Sequence, residues 1–397
     1  MTKSKQPQYR FDSFEGEWEE KKIRQYLKES RIPGTNGKIA SKLTVKLWRK
    51  GVVKKSELYS GSESTKYFKR KSGQFMYGKL DFLNQAFGII PIDLNGYEST
   101  LDSPAFDISK KIDPTFLLEY VSLEKFYRYQ GNIANGSRKA KRIHVDTFLD
   151  MPITLPYLPE QEAIGELFQT VDQLIQLQDQ KLATLKEQKQ TFLRKMFPAQ
   201  GQKVPEIRLQ GFDGEWEEKK LGEISRMFSG GTPNVGIPEY YNGNIPFIRS
   251  AEINSDQTEL SITDKGLSNS SAKLVEKNTL LYALYGATSG EVGLSRISGA
   301  INQAILAIIP EKKYSSLFIK NWLYKQKSSI IKKYLQGGQG NLSGSIVKEL
   351  TIHFPSLSEQ EAIGDFFQTL DQQMSQTEDK LTELKALKQT LLNRLFV

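Results

Sequence analysis

Cysteine is absent from this sequence of 397 residues, and histidine occurs only twice, as His144 and His353. The lack of cysteine excludes disulfide scaffolds, thiolate zinc sites, iron–sulfur clusters and cysteine nucleophiles. Two histidines leave little for histidine-based catalysis or a multi-histidine metal site. No apolar run approaches the roughly 18 residues of a membrane-spanning helix, and the N-terminus lacks the apolar segment of a signal peptide. We therefore expect a soluble, cytoplasmic protein that has no membrane partner and binds no metal.

Catalytic motifs are missing as well. The sequence contains no G-x-x-x-x-G-K-[ST] phosphate loop and no H-E-x-x-H metal motif. The glycine-rich segment 337–344 lacks the lysine that a phosphate loop needs. No Asn/Asp-Pro-Pro-aromatic tetrad, of the kind that holds a flipped base in amino-methyltransferases, is present. The sequence thus predicts that the chain is not an enzyme, binds no cofactor itself, and leaves any chemistry to a partner.

Positive charge is distributed unevenly along the chain. The formal net charge is +9, and residues 21–80 hold 17 Lys and Arg against three Asp and Glu, whereas residues 201–397 hold 22 of each. A second basic block, from Lys312 to Lys348, has eight lysines with no acid between them. Two basic regions on a globular chain favour a polyanion partner, most often nucleic acid. A lysine-rich solvated surface is the competing interpretation.

Two long segments occur twice in the sequence. RFDSFEGEWEEKKI (10–23) returns as RLQGFDGEWEEKKL (208–221), 198 positions later. EQEAIGELFQTVDQ, which begins at Glu160, returns as EQEAIGDFFQTLDQ, which begins at Glu359, and this second match continues almost to the C-terminus. The chain therefore consists of two copies of one unit, each a variable globular part followed by a closely matched tail.

A fainter echo lies between these repeats. Tyr-Gly precedes NQAFGIIP (84–91) in the first copy and NQAILAIIP (302–310) in the second. We equate the two NQA segments and attribute the longer spacing in the second copy to a longer hairpin.

The two tails are predicted to be long helices with a heptad seam. Apolar residues recur in steps of four and three, which is the spacing of a surface that packs on a partner helix. Polar residues interrupt both seams at matching places, Gln178 and Lys189 in one tail and Thr377 and Lys388 in the other; such interruptions fix register and orientation. The predicted seam comprises Ile164, Phe168, Val171, Ile175, Leu182, Leu185 and Phe192 in the first tail, and Ile363, Phe367, Leu370, Met374, Leu381, Leu384 and Leu391 in the second.

We expect the two helices to pack on each other in an antiparallel coiled coil. Pro159 suits a first helical turn, and Ser358 with Glu361 has capping-box spacing. About 38 residues give a rod of roughly 57 Å. An internal pseudo-two-fold axis would then relate the two copies. The alternative is that both are amphipathic helices that lie on one globular core.

The variable parts indicate an α+β fold class. The second copy has short strand-like stretches at 245–250, 278–286 and 304–310, separated by turn-rich segments. A basic helix is predicted to follow over 315–335. In the first copy, FDISKKI and LEKFYRYQG occupy a comparable place with less charge.

Several basic and polar residues are candidates for contact with DNA. Basic residues that alternate with apolar ones are typical of an element laid on phosphates, a Gly-Gly-Thr-Pro turn can hold a phosphate, and an arginine at a strand end can read a guanine edge or form a salt bridge instead. The candidates are Lys38, Lys42, Lys46, Arg49, Lys50, Lys66, Lys69, Arg70, Lys71 and Lys79 in the first copy, and Thr232, Arg249, Ser250, Lys325, Gln339 and Asn341 in the second.

The whole pattern resembles the DNA-specificity (S, HsdS) subunit of type I restriction–modification systems. The resemblance rests on the FxGEWEEKKL lead-ins, the EQ-x-AIG-x-x-F helix starts and, in the second copy, the series SGGTPNVG, YYNGNIPFIRS, LYALYGATSGEVGL, INQAI and GGQGNLSG. It covers essentially the whole chain. The first copy departs from the pattern because it lacks the GGTP segment, so its membership rests on the flanking repeats.

The resemblance implies two target-recognition domains, each reading one half of a bipartite, gapped DNA target, and a coiled coil that sets the spacing of the half-sites. It implies two methyltransferase subunits and two motor–nuclease subunits as partners, with S-adenosylmethionine, ATP and Mg²⁺ bound in those partners and no catalysis by this chain. Because the variable parts differ, we expect unlike half-sites and a non-palindromic target. The expected divisions are a first recognition domain (8–157), a first long helix (158–198), a linker (199–205), a second recognition domain (206–356) and a second long helix (357–397).

Three competing hypotheses stay open. The chain could be a stand-alone, pseudo-dimeric DNA-binding regulator that needs no enzyme partner. It could be a nuclease whose carboxylates are scattered in sequence, or an assembly scaffold whose basic blocks are incidental.

Overall fold

The structure is a computed structural model that describes residues 6–56, 62–133, 142–334 and 341–397. The chain divides into two compact units. Unit 1 comprises Met1–Asp179 with Asp379–Val397, and unit 2 comprises Gln180–Glu378. Both boundaries fall inside the long helices, so each unit contains the first half of one long helix and the second half of the other.

The first stretch of unit 1 runs from short strands into the first long helix. Its strands are β1 (Glu19–Lys22), β2 (Leu27–Ser30), β3 (Ile32–Asn36), β4 (Leu43–Val45), β5 (Val52–Lys54), β6 (Lys66–Lys69), β7 (Phe75–Tyr77), β8 (Phe87–Ile89), β9 (Glu98–Ser99), β10 (Ala105–Ile108) and β11 (Pro152–Leu155). Its helices are α1 (Pro114–Val121), α2 (Glu124–Ile133), α3 (Val145–Asp150) and α4 (Leu158–Lys195), the last of which continues into unit 2.

Unit 2 follows the same plan with a different set of additions. Its strands are β12 (Glu217–Lys220), β13 (Ser225–Ser229), β14 (Tyr241–Ile248), β15 (Leu260–Ile262), β16 (Lys273–Val275), β17 (Leu280–Ala283), β18 (Val292–Leu294), β19 (Gly299–Ile301), β20 (Ile305–Pro310) and β21 (Thr351–Phe354). Its helices are α5 (Leu221–Ile224), α6 (Asp264–Ser268), α7 (Ser316–Tyr334), α8 (Gly344–Lys348) and α9 (Leu357–Leu395), the last of which continues into unit 1. The mixed helix and sheet content confirms the predicted α+β class.

The central sheet is the same in both units. Its strand order is β2-β10-β7-β8 in unit 1 and β13-β20-β17-β18 in unit 2, and every neighbouring pair is antiparallel. The interior strands are mostly apolar and buried: Phe75, Met76 and Tyr77 of β7 are entirely buried, whereas β10 contains the exposed Asp107. The remaining sheets differ, β3-β6-β9 and the hairpin β4-β5 in unit 1 but β15-β14-β19-β16 in unit 2.

The two NQA segments, which we equated from the sequence, are not structurally equivalent. In unit 1, residues 84–86 lead into β8, an edge strand of the central sheet, whereas residues 302–304 lead into β20, an interior strand. The counterpart of β8 is β18: Gly88 lies opposite Met76 in the same register in which Gly293 lies opposite Leu281. Three shared residues were too few to identify a strand, because sheet position is decided by pairing partners elsewhere in the chain.

The predicted helix pairing is confirmed. In unit 1 the rings of Phe168 and Phe396 lie 5.8 Å apart and Asp172 contacts Lys388, so α4 and α9 run antiparallel. In unit 2 Phe192 packs on Phe366 at 5.0 Å. The fourteen predicted seam residues are all buried or half-buried.

The two lysines among the polar interruptions of the seam form ion pairs across the two helices. In unit 1, Lys388 Nζ donates to both carboxylate oxygens of Asp172, at 2.5 and 2.7 Å. In unit 2, Lys189 Nζ donates to Asp371. Each lysine satisfies its charge locally, so the antiparallel register that brings Lys and Asp opposite each other is specified twice.

No helix in the described part of the chain is long and apolar enough to cross a membrane.

Candidate nucleic-acid interface

The start of each long helix is fixed by an arginine from the lead-in segment. Arg10 forms a forked pair with Glu160, at 2.8 and 2.7 Å, and also donates to the carbonyl of Gly16. Arg208 makes the same forked pair with Glu359, at 2.8 and 2.7 Å. Both carboxylates are almost fully buried, so the bidentate arginine is needed to neutralise them. This explains the arginine and the glutamate of the repeated segments.

The glutamine that follows each glutamate joins the long helix to the variable part. Gln161 accepts a hydrogen bond from the backbone N–H of Asp113, just before α1, and donates to the carbonyl of Pro156. Gln360 accepts from the N–H of Ser315, just before α7. The repeated residues therefore form a framework that holds each variable part against the helix pair in the same way.

A glycine in each repeated segment allows this close approach. A Cβ atom at Gly165 would lie 2.2 Å from Oδ1 of Asp113, and a Cβ atom at Gly364 would lie 2.8 Å from Cβ of Leu317. The A-I-G of both helix starts is thus a packing requirement and not a sign of a ligand site.

The candidate lysines of unit 1 divide into paired and unpaired groups. Lys38 is exposed but forms an ion pair with Glu63 at 2.7 Å. Lys42 is buried, with its ammonium 5.6 Å from the centre of the Tyr67 ring. Lys79 is half-buried, and its burial lowers its pKa. By contrast, five candidates are exposed and make no ion pair with another described residue: Lys46, Lys50, Lys66, Lys69 and Lys71.

Arg70 requires a correction. Its side chain is only 1% exposed, and it donates to the hydroxyl of Ser99 at 2.8 Å and to the carbonyl of Ser30 at 2.6 Å. Burial lowers its pKa to about 10. Arg70 ties strands together inside unit 1 and does not reach a surface where DNA could bind.

The β4–β5 hairpin carries Trp48, the most exposed of the four tryptophans. Residues 47–50 form its turn, with Lys46 N–H donating to the Gly51 carbonyl at 2.8 Å and Lys50 N–H donating to the Leu47 carbonyl at 3.3 Å. Trp48 at the tip is 57% exposed. Strand β4 itself contains no basic residue: Leu43 and Val45 are buried, and the exposed Lys46 and Lys50 lie in and beside the turn.

Arg49, predicted to contact DNA, points into the unit instead. Its Nη1 donates to Oε2 of Glu119 at 2.6 Å, and its Nη2 donates to Oε1. Glu119 lies on α1 and is 1% exposed, and Lys388 Nζ lies 3.4 Å from its Oε1. A buried carboxylate needs such counter-ions, so Arg49 has a structural partner that the sequence did not reveal.

At the position of unit 2 that corresponds to Glu119, the buried residue is a neutral asparagine. Ser315 precedes α7 as Asp113 precedes α1, and counting from these residues places Asn321 where Glu119 stands. Asn321 is also 1% exposed, and its amide donates to the carbonyl of Leu317 at 2.9 Å. The hairpin, its arginine and the buried carboxylate therefore occur together in unit 1.

The candidates of unit 2 are mostly uncharged or already paired. Thr232 is exposed, and its hydroxyl donates to Gln303 at 2.5 Å. Arg249 pairs first with Glu252 and then with Glu259, which raises its pKa. Ser250 is half-buried and Asn341 is exposed. Gln339 lies outside the described residues.

Lys325, which was predicted to contact DNA, bonds to backbone carbonyl groups within unit 2 instead. Its Nζ lies 3.3 Å from the carbonyl oxygens of both Phe197 and Pro198, just past the end of α4. Burial lowers its pKa. Lys125 makes the equivalent bond to the carbonyl of Phe396, just past the end of α9. Both lysines satisfy helix-end carbonyls, so Lys325 serves the framework.

The described residues contain no group of three or more His, Asp or Glu that could hold a metal ion.

Sequence reasoning missed Trp48 as an exposed tip residue and Glu119 as a buried charge. The one signal available was the acid-free segment from Ser30 to Ser56, which holds eight Lys and Arg.

Comparisons with known proteins identify similar chains. Residues 213–386 match the family model of the type I restriction modification DNA specificity domain. The chain is 30% identical over 166 residues to the type I restriction enzyme MjaIX specificity subunit of Methanocaldococcus jannaschii, covering 40% of this chain and 38% of that protein. It is 25% identical over 250 residues to the EcoR124I/EcoR124II specificity subunit of Escherichia coli, covering 60% and 59%. The chain thus spans less than two thirds of either relative.

Solved structures share the fold. The S subunit of a type I restriction–modification system from M. genitalium superposes with a TM-score of 0.63 at 15% identity, covering 99% of both chains. A chain from a study of complex assembly and conformational transition of the type I R-M system gives a TM-score of 0.53 at 16% identity, covering 96% of this chain and 97% of that one.

Proposed function

We propose that this chain is a specificity subunit of a type I restriction–modification system, which selects the DNA sequence on which its partner enzymes act. Unit 1 and unit 2 each read one half of a bipartite, gapped target in double-stranded DNA. The chain itself is not catalytic.

One observation carries this proposal: the two units share a framework and differ in what the framework holds. The Arg–Glu fork, the glutamine bridge, the seam lysine–aspartate pair and the order of the central sheet are all repeated. Among the residues that the structure describes, the outer sheets and the β4–β5 hairpin are not repeated. A protein that presents two unlike surfaces on one duplicated support is suited to reading two unlike half-sites, so the target is asymmetric.

The charges support contact with phosphates in unit 1. Five exposed lysines that form no ion pair with another described residue can replace counter-ions along a DNA backbone, whereas the candidates of unit 2 offer hydroxyl and amide groups suited to hydrogen bonds. Lys46, Lys50, Lys66, Lys69 and Lys71 are therefore the proposed phosphate contacts. Thr232, Ser250 and Asn341 are the proposed polar contacts.

The repeated framework also suits partners that bind twice. We propose that two methyltransferase subunits dock on it, that two motor–nuclease subunits join them for restriction, and that the paired helices α4 and α9 set the half-site spacing. S-adenosylmethionine, ATP and Mg²⁺ would be bound by those partners, and the complex would act in the cytoplasm.

The test is methylome sequencing of cells that express this chain with its methyltransferase, compared with cells that express the methyltransferase alone. We expect a gapped, two-part motif methylated on adenine in both halves only when the chain is present. Replacing residues 206–356 with those of another recognition domain should change one half of the motif and leave the other half unchanged. A motif that appears without the chain, or no motif at all, would refute the proposal and favour a stand-alone DNA-binding regulator.

A further inference from the structure

The tip of the β4–β5 hairpin holds its backbone in an unfavourable conformation. Trp48 and Arg49 occupy the two central turn positions with φ near 56° each, and Gln85, whose carbonyl accepts the Arg49 N–H, has φ of 51°. These are three of the five non-glycine residues with positive φ among the described part of the chain. Hairpin turns with two positive φ values favour Asn and Gly. Strain of this kind persists only where the surroundings enforce it, and it concentrates at functional positions.

The surroundings do enforce it. The N–H of Trp48 donates to the carbonyl of Asn84 at 2.8 Å, and the N–H of Arg49 donates to the carbonyl of Gln85 at 3.0 Å. The forked bond from Arg49 to the buried Glu119 anchors the other side of the tip. The Trp48 indole is therefore held out from the unit on a rigid support, which lowers the entropy lost on binding.

The positive charge around the indole favours a negatively charged ligand. Lys46 and Lys50 flank it, both are exposed, and neither pairs with another described residue. The whole segment from Ser30 to Ser56 lacks Asp and Glu. An aromatic ring between unpaired cations is the combination with which proteins bind nucleic acids, where the ring lies against bases or sugars and the cations meet phosphates.

The hairpin belongs to the part of the chain that the two units do not share. A partner protein that docks twice would use repeated residues, but unit 2 has Asn321 in place of Glu119, and its described residues form no equivalent of the β4–β5 sheet. An element found in only one unit fits a ligand that differs between the units, and under the proposed function that ligand is the DNA half-site.

We infer that Trp48 is a DNA-contacting side chain of unit 1, with Lys46 and Lys50 on the phosphates beside it, and that Arg49 is a positioning residue that aims it through Glu119. This inference rests on the proposed function.

The first experiment uses the full chain and a 40-bp duplex that the unchanged chain itself enriches from a random library. Affinity is measured by fluorescence anisotropy for Trp48→Ala, Trp48→Phe and the matched control Tyr129→Ala, which removes another exposed aromatic of unit 1. Trp48→Ala should weaken binding by about tenfold or more, Trp48→Phe by less, and Tyr129→Ala not at all. Wild-type affinity of Trp48→Ala would overturn the inference while leaving the proposed function standing.

A second measurement needs no destabilising variant. Acrylamide quenching of the unchanged chain, minus that of Trp48→Phe, reports the accessibility of Trp48 alone. Adding the duplex should protect it. If the duplex leaves Trp48 accessible and the methyltransferase alone protects it, the hairpin is a protein-docking element and the inference is wrong. If the unchanged chain enriches no sequence from the library, the proposed function itself fails, and the inference falls with it.

The roles of the flanking residues are separated by salt dependence. Replacing Lys46 and Lys50 together with Gln should lower the slope of log K against log salt by about two. Arg49→Ala should leave that slope unchanged, because its guanidinium contacts Glu119 and not a phosphate, yet weaken binding. In the Arg49→Ala background, the further substitution Trp48→Ala should cause little additional loss of DNA affinity. Arg49→Lys should retain part of the affinity that Arg49→Ala loses. The positioning role would be contradicted if Arg49→Ala changed the slope of log K against log salt. It would also be contradicted if the losses of DNA affinity caused by Arg49→Ala and Trp48→Ala were additive.

Discussion

The pair formed by Arg49 and Glu119 makes a quantitative prediction about the stability of unit 1. Glu119 is 1% exposed and receives a forked bond from Arg49, whose side chain is 18% exposed. Removing one partner of a buried ion pair leaves an uncompensated charge and costs about 3–5 kcal/mol. Lys388 stays 3.4 Å from the same carboxylate. We therefore expect Arg49→Met to lower the free energy of unfolding of unit 1 by the lower figure, about 3 kcal/mol.

The companion substitution should reverse most of that loss. Glu119→Asn installs the residue that unit 2 has at the equivalent place, and replacing both members of a buried pair by neutral groups is often close to neutral. The double variant Arg49→Met with Glu119→Asn should thus be more stable than Arg49→Met alone by about 2 kcal/mol. This recovery is the signature of an uncompensated charge and not of lost packing.

Hydrogen exchange in increasing urea, read on peptides from α1, measures the change in unit 1, and peptides from α7 serve as the internal reference in unit 2. The control is the exposed pair Lys38–Glu63, 60% and 68% exposed, where Lys38→Met should change stability by less than about 0.5 kcal/mol. The reasoning is refuted if Arg49→Met behaves like Lys38→Met, or if the double variant is no more stable than the single one.

Three further predictions concern the framework. Gly165→Ala should destabilise unit 1 by about 1–3 kcal/mol, measured by thermal unfolding, because its Cβ would overlap Oδ1 of Asp113 at 2.2 Å; an unchanged midpoint would contradict this. Burial lowers the pKa of Lys325 below its ordinary value of 10.5, so the unfolded chain binds more protons in the window between the two values and stability rises with pH there; Lys325→Met should flatten that rise in urea titrations, and an unaltered slope would argue against burial of a charged amine. Inserting one heptad into both α4 and α9 should widen the gap of the methylated motif by about 10 Å, or about three base pairs, and an altered half-site sequence would count against the helices as a spacer.

The duplication and the helix pair could be predicted from sequence because the residues that build them are repeated as long segments. Arg10 and Glu160 recur as Arg208 and Glu359 since each pair makes the same contacts. The NQA echo misled for the opposite reason. Residues 84–86 form the turn that holds the hairpin tip, while residues 302–304 lead into an interior strand, and three letters carry no information about either neighbour.

The candidate interface could be predicted only in part because sequence counts charges without showing their partners. Arg70 bonds to the carbonyl of Ser30, forty positions away, and Lys325 bonds to the carbonyl of Phe197, 128 positions away. Neither separation follows a helical or strand periodicity. Lys46 and Lys50 stayed available because the hairpin turn faces solvent and no acid is near in the chain. The turn requires positive φ at Trp48 and Arg49, a conformation that such residues rarely adopt. The sequence therefore did not indicate a turn at these positions.

The seam lysines connect the helix pair to the variable parts, which goes beyond the register role that their position in the heptads suggests. Lys388 bonds to Asp172 across the helices and also reaches Glu119, the carboxylate that holds the hairpin. In unit 2 the seam pair is extended differently: Asp371 accepts from both Lys189 and Lys320 of α7. Each variable part is thus joined to the same repeated ion pair by a residue of its own, an acid in unit 1 and a base in unit 2. The two connecting residues have opposite charge, so the hairpin of unit 1 cannot be transplanted into unit 2 by itself. Its arginine would have no partner there unless a carboxylate also replaced Asn321.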